Sequence, residues 1–233
     1  MIPPFADHPL VVEFNDLKKY FRSHETQASR NRIDQFRSFV RVIADAGLPV
    51  GFDVMGSVNF GLATEKSDVD LVLYVECEND FAGECPSPYC RTQQHVENLL
   101  IHTWIRGISE TPYPVQIVDC INLNLLRKEI ERADPESSAL IRFAFYRSVC
   151  RGVNAKLLRP YHNALLRNKD LIEGMRPYLW TLFDELVRSS KHSFSLHKYQ
   201  DRLGQLGVHI PESILKSIRG HLSQQKPHLA DGI

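Results

Sequence analysis

Two aspartates one residue apart, Asp68 and Asp70, are the residues of this 233-residue chain that most clearly suggest chemistry. They open an apolar run that ends at Val75 and is typical of a β-strand. Because strand side chains alternate between faces, both carboxylates point the same way, with Cα atoms roughly 6.5–7 Å apart. Two carboxylates on one face repel each other and resist burial unless a cation lies between them. Mg²⁺ is the expected cation, since it prefers oxygen ligands and bridges carboxylates to substrate phosphates.

A second motif, Gly56-Ser57, follows the predicted strand Val50–Met55 and is separated from Asp68 by ten residues. A glycine lets a phosphate approach the main chain closely. The Ser57 hydroxyl and the N–H groups at the start of a following helix can then donate hydrogen bonds to that phosphate. The two motifs together predict a nucleotide site, in which donors bind one end of a triphosphate and metal on carboxylates binds the other. Solvent-facing aspartates beside a tight turn are the alternative, but that alternative does not explain the glycine-serine pair.

Gly56-Ser57, ten residues and then Asp68-Val69-Asp70-Leu71 resembles the signature of the DNA polymerase β-like nucleotidyltransferase superfamily. The embedded Phe60-Gly61-Leu62 and Ser67-Asp68 resemble the forms found in minimal and in template-independent terminal nucleotidyltransferases. The resemblance covers residues 30 to 130 or so. It implies an NTP substrate, with ATP the expected one, and Mg²⁺ or Mn²⁺ on the aspartates. It also implies transfer of a nucleoside monophosphate to a hydroxyl group with release of pyrophosphate.

The family pattern requires a third carboxylate on a neighbouring strand, which Pro114–Cys120 is predicted to form. A one-for-one comparison places Gln116 at that position, whereas the carboxylate in this strand is Asp119. With a period of two, Asp119 lies on the opposite face from Gln116, so it reaches the metal only if the strand bulges, ends early or has another register. We take Asp119 as the third catalytic and metal-binding residue. A neutral Gln116 in that role could not act as a base, and the chain would then be a non-catalytic nucleotide-binding or regulatory module.

The predicted fold is α/β, with a small mixed sheet, flanking helices and a C-terminal helical region. We predict a nucleotidyltransferase-like part over residues 1–133, with two N-terminal helices over 10–24 and 26–46, and a helical part over 134–233. The resemblance implies that such a helical part closes over the nucleotide or acceptor, or drives formation of a homodimer. Four basic residues recur there at helical spacing and either meet phosphates or form a solvated face: Arg142, Arg147, Arg151 and Lys156. A segment from Leu196 to Leu222 has the helix–glycine turn–helix pattern of any helical hairpin, and we do not expect it to bind DNA.

Composition limits the partners. Lysine plus arginine equals aspartate plus glutamate, so the formal net charge is zero, and a small-molecule or protein acceptor ranks ahead of RNA. No apolar run approaches the ~18 residues of a membrane span. Five scattered cysteines indicate a reducing cytoplasm. A zinc site is the alternative for part of this set, but the spacing lacks the close pairs of structural zinc sites: Cys77, Cys85, Cys90 and His95.

Overall fold

The computed structural model describes residues 4–77, 90–108, 112–188, 201–205, 207–213 and 216. Within these ranges one mixed sheet contains four strands, which are β1 (Val50–Val54), β2 (Val69–Val75), β3 (Val115–Asn122) and β4 (Arg151–Val153). Their order is β3-β2-β1-β4. Strands β2 and β3 are parallel, whereas β1 is antiparallel to both of its neighbours. The predicted α/β fold with a small mixed sheet is confirmed.

Helices surround this sheet, and most of them match the predicted segments. They are α1 (Pro9–Arg22), α2 (Gln27–Asp45), α3 (Gly56–Phe60), α4 (Arg91–Glu97), α5 (Arg106–Ile108), α6 (Leu123–Arg132), α7 (Ser138–Val149), α8 (Ala155–Arg167) and α9 (Lys169–Arg188). The apolar spacing of the sequence predicts one helix over 89–108, but a π-helical stretch, Asn98–Ile105, joins α4 to α5 there. Thr26 caps the start of α2, since its hydroxyl accepts a hydrogen bond from the Ser29 N–H at 3.2 Å.

The sheet is covered on both faces, which explains why β2 is apolar from Leu71 to Val75. Val69, Leu71 and Leu73 pack with α2, α4 and the π-helical stretch. Val72 and Tyr74 pack on the other face with α1 and with α6 to α9. A strand buried on both faces reads as a continuous apolar run, so any charged side chain within it has a specific environment.

The sequence predicts one helix from Asp134 to about Val153, but the chain between α7 and α8 has a different structure. In the structure α7 ends at Val149, Cys150 is extended, and Arg151–Val153 pairs antiparallel with β1. The three residues of β4 are too few to show a strand pattern, and their pairing depends on the edge of β1 being present. The second predicted part of the chain therefore adds a strand to the sheet of the first, while the division at residue 133 stays a prediction.

Strand β3 contains one residue more than the β2 segment that it faces. Leu71 pairs with Ile117 and Val72 with Asp119, so Val118 has no partner in β2 and is 41% exposed. This β-bulge inverts the alternation of side chains beyond it. Asp119 consequently lies on the same face of the sheet as Asp70, which is the face covered by α7. A bulge is one of the three conditions under which the sequence analysis expects Asp119 to reach the metal, and this bulge is present.

Two predictions fall largely outside the described residues: the loop over 76–88 and the helical hairpin over 196–222. In the described part of the hairpin, Leu203 is buried against Leu17 and Phe21 of α1 and against Leu62. Of the helices that the structure describes, none is both long and apolar enough to cross a membrane.

Candidate active site

The Gly56-Ser57 turn and the Asp70 carboxylate meet at the end of the sheet where β1 stops and β2 begins. The Met55 N–H donates to the Asp70 carbonyl oxygen at 2.9 Å, which continues the ladder to the start of the turn. Gly56 has a φ of +58°, and a Cβ at this position would lie 3.0 Å from Asp70 Oδ2. A glycine is therefore required here both by the backbone conformation and by the carboxylate beside it. The structure brings together the two motifs that the sequence places ten residues apart.

Ser57 presents a polar group that is left unused within the described residues. Its hydroxyl oxygen is buried and has no hydrogen-bond partner among them. A buried hydroxyl without a partner is costly, and a ligand that accepts its hydrogen bond removes that cost. Ser57 lies in the first turn of the short helix α3, whose C-cap residue is Gly61, with a φ of +79°. The site therefore offers a hydrogen-bond donor next to a carboxylate.

Asp68 and Asp70 create a negative potential at the same place. Asp68 is exposed and Asp70 is half-buried. Burial raises the pKa of the Asp70 carboxyl above its ordinary value, and the negative charge of Asp68 raises it further. A bound cation would reverse both effects, because it favours the charged form of each carboxylate. The unpartnered Ser57 hydroxyl, the space that a Cβ of Gly56 would fill and this paired charge all fit a divalent metal carrying a phosphate ligand.

The loop that carries Asp68 is attached to the start of α2. The Ala63 N–H donates to Ser29 Oγ at 2.9 Å, and Thr26 Oγ1 donates to the Ala63 carbonyl oxygen at 2.7 Å. Arg32 is 2% exposed, and its Nη2 donates to the Glu65 carbonyl oxygen at 3.1 Å. The Arg32 guanidinium also lies 4.3 Å from the centre of the Tyr113 ring, in the segment that leads into β3. Arg32 thus links α2, the Asp68 loop and the entrance of β3, a role that the helical pattern of α2 did not reveal.

Asp119 shares the face of Asp70 but is held by other groups. Its carboxylate accepts from Arg142 Nη1 at 2.5 Å, from the Cys120 N–H at 2.7 Å and from the Tyr146 hydroxyl at 2.9 Å. Its side chain is 8% exposed. Among the described residues no group of three histidine, cysteine, aspartate or glutamate side chains is close enough to hold a metal ion. The structure therefore brings Asp119 to the predicted face without joining it to Asp68 and Asp70.

Gln116 occupies the position that a one-for-one comparison gives it. It pairs directly with Asp70 across the β2–β3 ladder and is exposed. In a parallel pair, partners in register share a face, so the Gln116 amide and the Asp70 carboxylate point to the same side of the sheet. Gln116 could offer its carbonyl oxygen to a metal but cannot accept a proton.

A buried ion pair beside the site was not predicted. Asp53 in β1 is fully buried, and it accepts hydrogen bonds from Arg147 of α7 and, at 2.6 Å, from the Tyr74 hydroxyl. Burial raises the pKa of the Asp53 carboxyl, while Arg147 and Tyr74 oppose this shift. Gly152 makes room for the pair, because a Cβ there would lie 2.7 Å from Arg147 Nη1. No local sequence pattern identifies Asp53 as a member of a buried ion pair, because its partner Arg147 lies 94 residues later in the chain.

Three of the four residues of the predicted basic face are held in ion pairs, and the fourth, Lys156, is exposed. Arg142 pairs with Asp119, Arg147 with Asp53, and Arg151 with Glu25. The Arg147 side chain is only 9% exposed, so a solvated face is the wrong interpretation for this residue. Two of these ion pairs fasten α7 to the sheet face that carries Asp70.

Comparison with known families agrees with this geometry. Residues 33–146 match the family described as nucleotidyltransferase domain. This part of the chain is a nucleotidyltransferase domain of the DNA polymerase β-like superfamily, and the resemblance stated from the sequence is confirmed. Searches of curated proteins and of solved structures found no match.

Proposed function

We propose that the chain is a metal-dependent nucleotidyltransferase that moves a nucleoside monophosphate from an NTP to a hydroxyl acceptor and releases pyrophosphate. The observation that carries this proposal is the 3.0 Å approach of the Gly56 Cβ position to Asp70 Oδ2. This short distance supports the interpretation that the Gly56-Ser57 turn and the carboxylate pair form one continuous site. The match to the nucleotidyltransferase domain supports the same reaction class.

Each residue of the site has a distinct role in this proposal. Gly56 leaves space for a phosphate, and the Ser57 hydroxyl donates to it. Asp68 and Asp70 hold Mg²⁺ or Mn²⁺, and Asp119 completes the metal site once its present donors are displaced. When bound, the metal ions neutralise phosphate charge and stabilise the entering and leaving oxygens of the in-line displacement. Asp119 is also the residue that could accept the proton of the attacking hydroxyl.

The acceptor is a small molecule or a protein rather than a long RNA, since the chain has no net charge with which to neutralise many phosphates. ATP is the nucleotide to test first. We place the protein in the cytoplasm, because the cysteines of the described residues are thiols that form no disulfide bond: Cys77, Cys90, Cys120 and Cys150.

The test is label transfer from ATP labelled at the α-phosphate, with Mg²⁺ and cell extract as the source of acceptors, together with pyrophosphate release. Asp68→Asn and Asp70→Asn keep the shape of each side chain and remove its charge. We expect each to lower transfer at least as much as the ~10–100-fold typical of outer-shell partners of a metal. Asp34→Asn is the matched control, since Asp34 lies on α2 with a side chain 70% exposed. Transfer that survives both site variants would contradict the proposal.

A second function, a nucleotide-binding module without catalysis, is favoured by one observation. Gln116 pairs with Asp70 and points to the same side of the sheet, and the Asp119 carboxylate already accepts three hydrogen bonds. Such a module would bind ATP with Mg²⁺ and lose that binding in Asp70→Asn, yet it would release no pyrophosphate with any acceptor fraction. Pyrophosphate release by the wild-type protein excludes it.

A further inference from the structure

The short helix α3 carries Ser57 but contributes little by itself to holding that residue in place. It spans five residues, and the hydrogen bond that begins it, from the Asn59 N–H to the Met55 carbonyl oxygen, is long at 3.3 Å. Isolated helices much longer than this one are only marginally stable in water. The Ser57 hydroxyl has no hydrogen-bond partner among the described residues, so no contact of its own fixes it either. Its position therefore depends on what the rest of α3 contacts.

Asn59, two residues after Ser57, is 3% exposed and is bound from two sides. Arg22 of α1 donates to it twice, from Nε to the main-chain carbonyl oxygen at 2.7 Å and from Nη2 to the side-chain Oδ1 at 2.9 Å. The Asn59 Nδ2 donates in turn to the carbonyl oxygen of Val149, the last residue of α7, at 2.9 Å. A guanidinium that forms two such bonds fixes orientation as well as distance. Both the main chain and a side chain of α3 are thus attached to other helices.

Helix α1 supports this attachment with two further contacts. The Phe60 ring meets Phe14 and Phe21 of α1 edge-to-face, with ring centroids 5.3 and 5.5 Å apart. Lys18 Nζ donates to the Val149 carbonyl oxygen at 2.7 Å, so this oxygen accepts from α1 as well as from α3. Helix α1 therefore holds both α3 and the end of α7 to which α3 is bound.

The two residues that bind Asn59 lie outside the part of the chain that matches the nucleotidyltransferase domain. The match covers residues 33–146, whereas Arg22 precedes it and Val149 follows it. Asn59 and Ser57 lie within it. The attachment of α3 is therefore a feature of this chain that its family assignment does not supply.

We propose that Asn59 is a positioning residue: bound by Arg22 and by the end of α7, it holds α3 so that the Ser57 hydroxyl points at a phosphate group of the bound nucleotide. The inference rests on the proposed function and adds to it a contribution from α1. Loss of the attachment lets α3 shift, which weakens the hydrogen bond from Ser57 to the phosphate. The Asp68 and Asp70 carboxylates stay in place, because they belong to the start of β2.

The test measures nucleotide and metal affinity in Asn59→Ala. A nonhydrolysable ATP analogue is titrated by calorimetry at saturating Mg²⁺, and Mn²⁺ alone is titrated by its electron paramagnetic resonance signal. We expect the analogue to bind roughly 10- to 100-fold more weakly, the value of one hydrogen bond to a charged group, and Mn²⁺ to bind as it does to the wild type. A general loss of folding would weaken both ligands, and that result would contradict the inference.

A double-mutant cycle shows whether Asn59 acts through Ser57. Ser57→Ala should give the same pattern as Asn59→Ala. Because both substitutions remove one hydrogen bond to the phosphate, adding Asn59→Ala to Ser57→Ala should change the affinity for the analogue by no more than about 2-fold. Losses that multiply would mean that Asn59 acts independently of Ser57, and the inference would fall.

Asn15 provides a matched control for stability. Its Nδ2 also joins α1 to the end of α7, by donating to the Ser148 carbonyl oxygen at 3.0 Å, in a bond that does not involve α3. Asn15→Ala should therefore leave the affinity for the analogue unchanged. Equal losses of affinity in Asn15→Ala and Asn59→Ala would show that both residues only stabilise the fold.

Arg22→Lys keeps the test decisive if Asn59→Ala does not fold, since it retains both the positive charge and the Asn59 amide. A lysine cannot form both bonds of the guanidinium, so the analogue should bind more weakly. Arg37→Lys, at an arginine of α2 whose side chain is 59% exposed, should have no effect. Wild-type affinity in Arg22→Lys would overturn the inference. A wild-type protein that binds neither Mn²⁺ nor the analogue would instead overturn the proposed function on which it rests.

Discussion

Replacing Gly56 by alanine tests the contact between the turn and the carboxylate pair. Two effects follow from the structure. The φ of +58° is a left-handed conformation, which costs a residue with a Cβ about 1–2 kcal/mol. The new methyl group would also lie 3.0 Å from Asp70 Oδ2, inside the 3.4 Å at which ordinary contacts begin, so the carboxylate must move by a few tenths of an ångström.

Gly47 provides a matched control for the first effect. It also has a left-handed backbone, with a φ of +86°, but a Cβ there would meet nothing within 4 Å. Gly47→Ala and Gly56→Ala should therefore lose similar free energy of unfolding, about 1–2 kcal/mol, in urea titrations followed by circular dichroism. The difference between the two variants isolates the displacement of Asp70.

The readout is binding rather than stability. We expect Gly56→Ala to weaken Mn²⁺ binding by roughly 10- to 100-fold, which is about 1.4–2.8 kcal/mol, since a displaced carboxylate no longer holds the ion in place. Gly47→Ala should bind Mn²⁺ as the wild type does. Equal stability losses together with unchanged Mn²⁺ affinity in Gly56→Ala would refute the idea that the turn and Asp70 form one site.

Two other predictions concern the buried charges near the site. Gly152→Ala should lower the free energy of unfolding by about 1–3 kcal/mol, because the new methyl group would displace the Arg147 guanidinium that Asp53 holds. Gly51→Ala is the control and should cost little, since the nearest atom to its Cβ position is 3.5 Å away. Equal losses of the two variants in urea titrations would contradict this reasoning. Burial lowers the pKa of Lys18 from 10.5 to about 8, so between these values the unfolded chain binds more protons and stability rises with pH. The stability of the wild type minus that of Lys18→Met should therefore rise by about 3 kcal/mol across this window, and a flat or falling difference would exclude a depressed pKa.

The part of the site that could be predicted is the part that is local in sequence. Asp68 and Asp70 share a face because of the two-residue period of one strand, and Gly56-Ser57 ends the strand that pairs with it. The connection between these strands is short, so their motifs meet without help from distant segments. The structure places these positions together at one end of the sheet, while their role in binding stays a prediction.

Asp119 shows why the rest could not be predicted. Its face depends on a single unpaired residue, Val118, and the regular alternation of strands assigns it to the other side. Its partners Arg142 and Tyr146 come from a helix 23 and 27 residues later in the chain. The sequence suggests that Arg142 could meet phosphates, but a helical spacing does not show which carboxylate it contacts first. Strand β4 was missed for a similar reason, since three residues become a strand only beside β1.

The unpaired Val118 has a consequence for how this protein behaves at high concentration. In the described sheet β3 is an outer strand, and a regular outer strand offers its main chain to a strand of another molecule. The extra residue bends β3 and interrupts the spacing of hydrogen-bonding groups that an added strand would need. Deleting Val118 would restore that spacing and leave Asp119 paired with Val72, on the same face of the sheet as before. The deletion should therefore favour self-association of the chain while the Asp119 carboxylate stays on the α7 side.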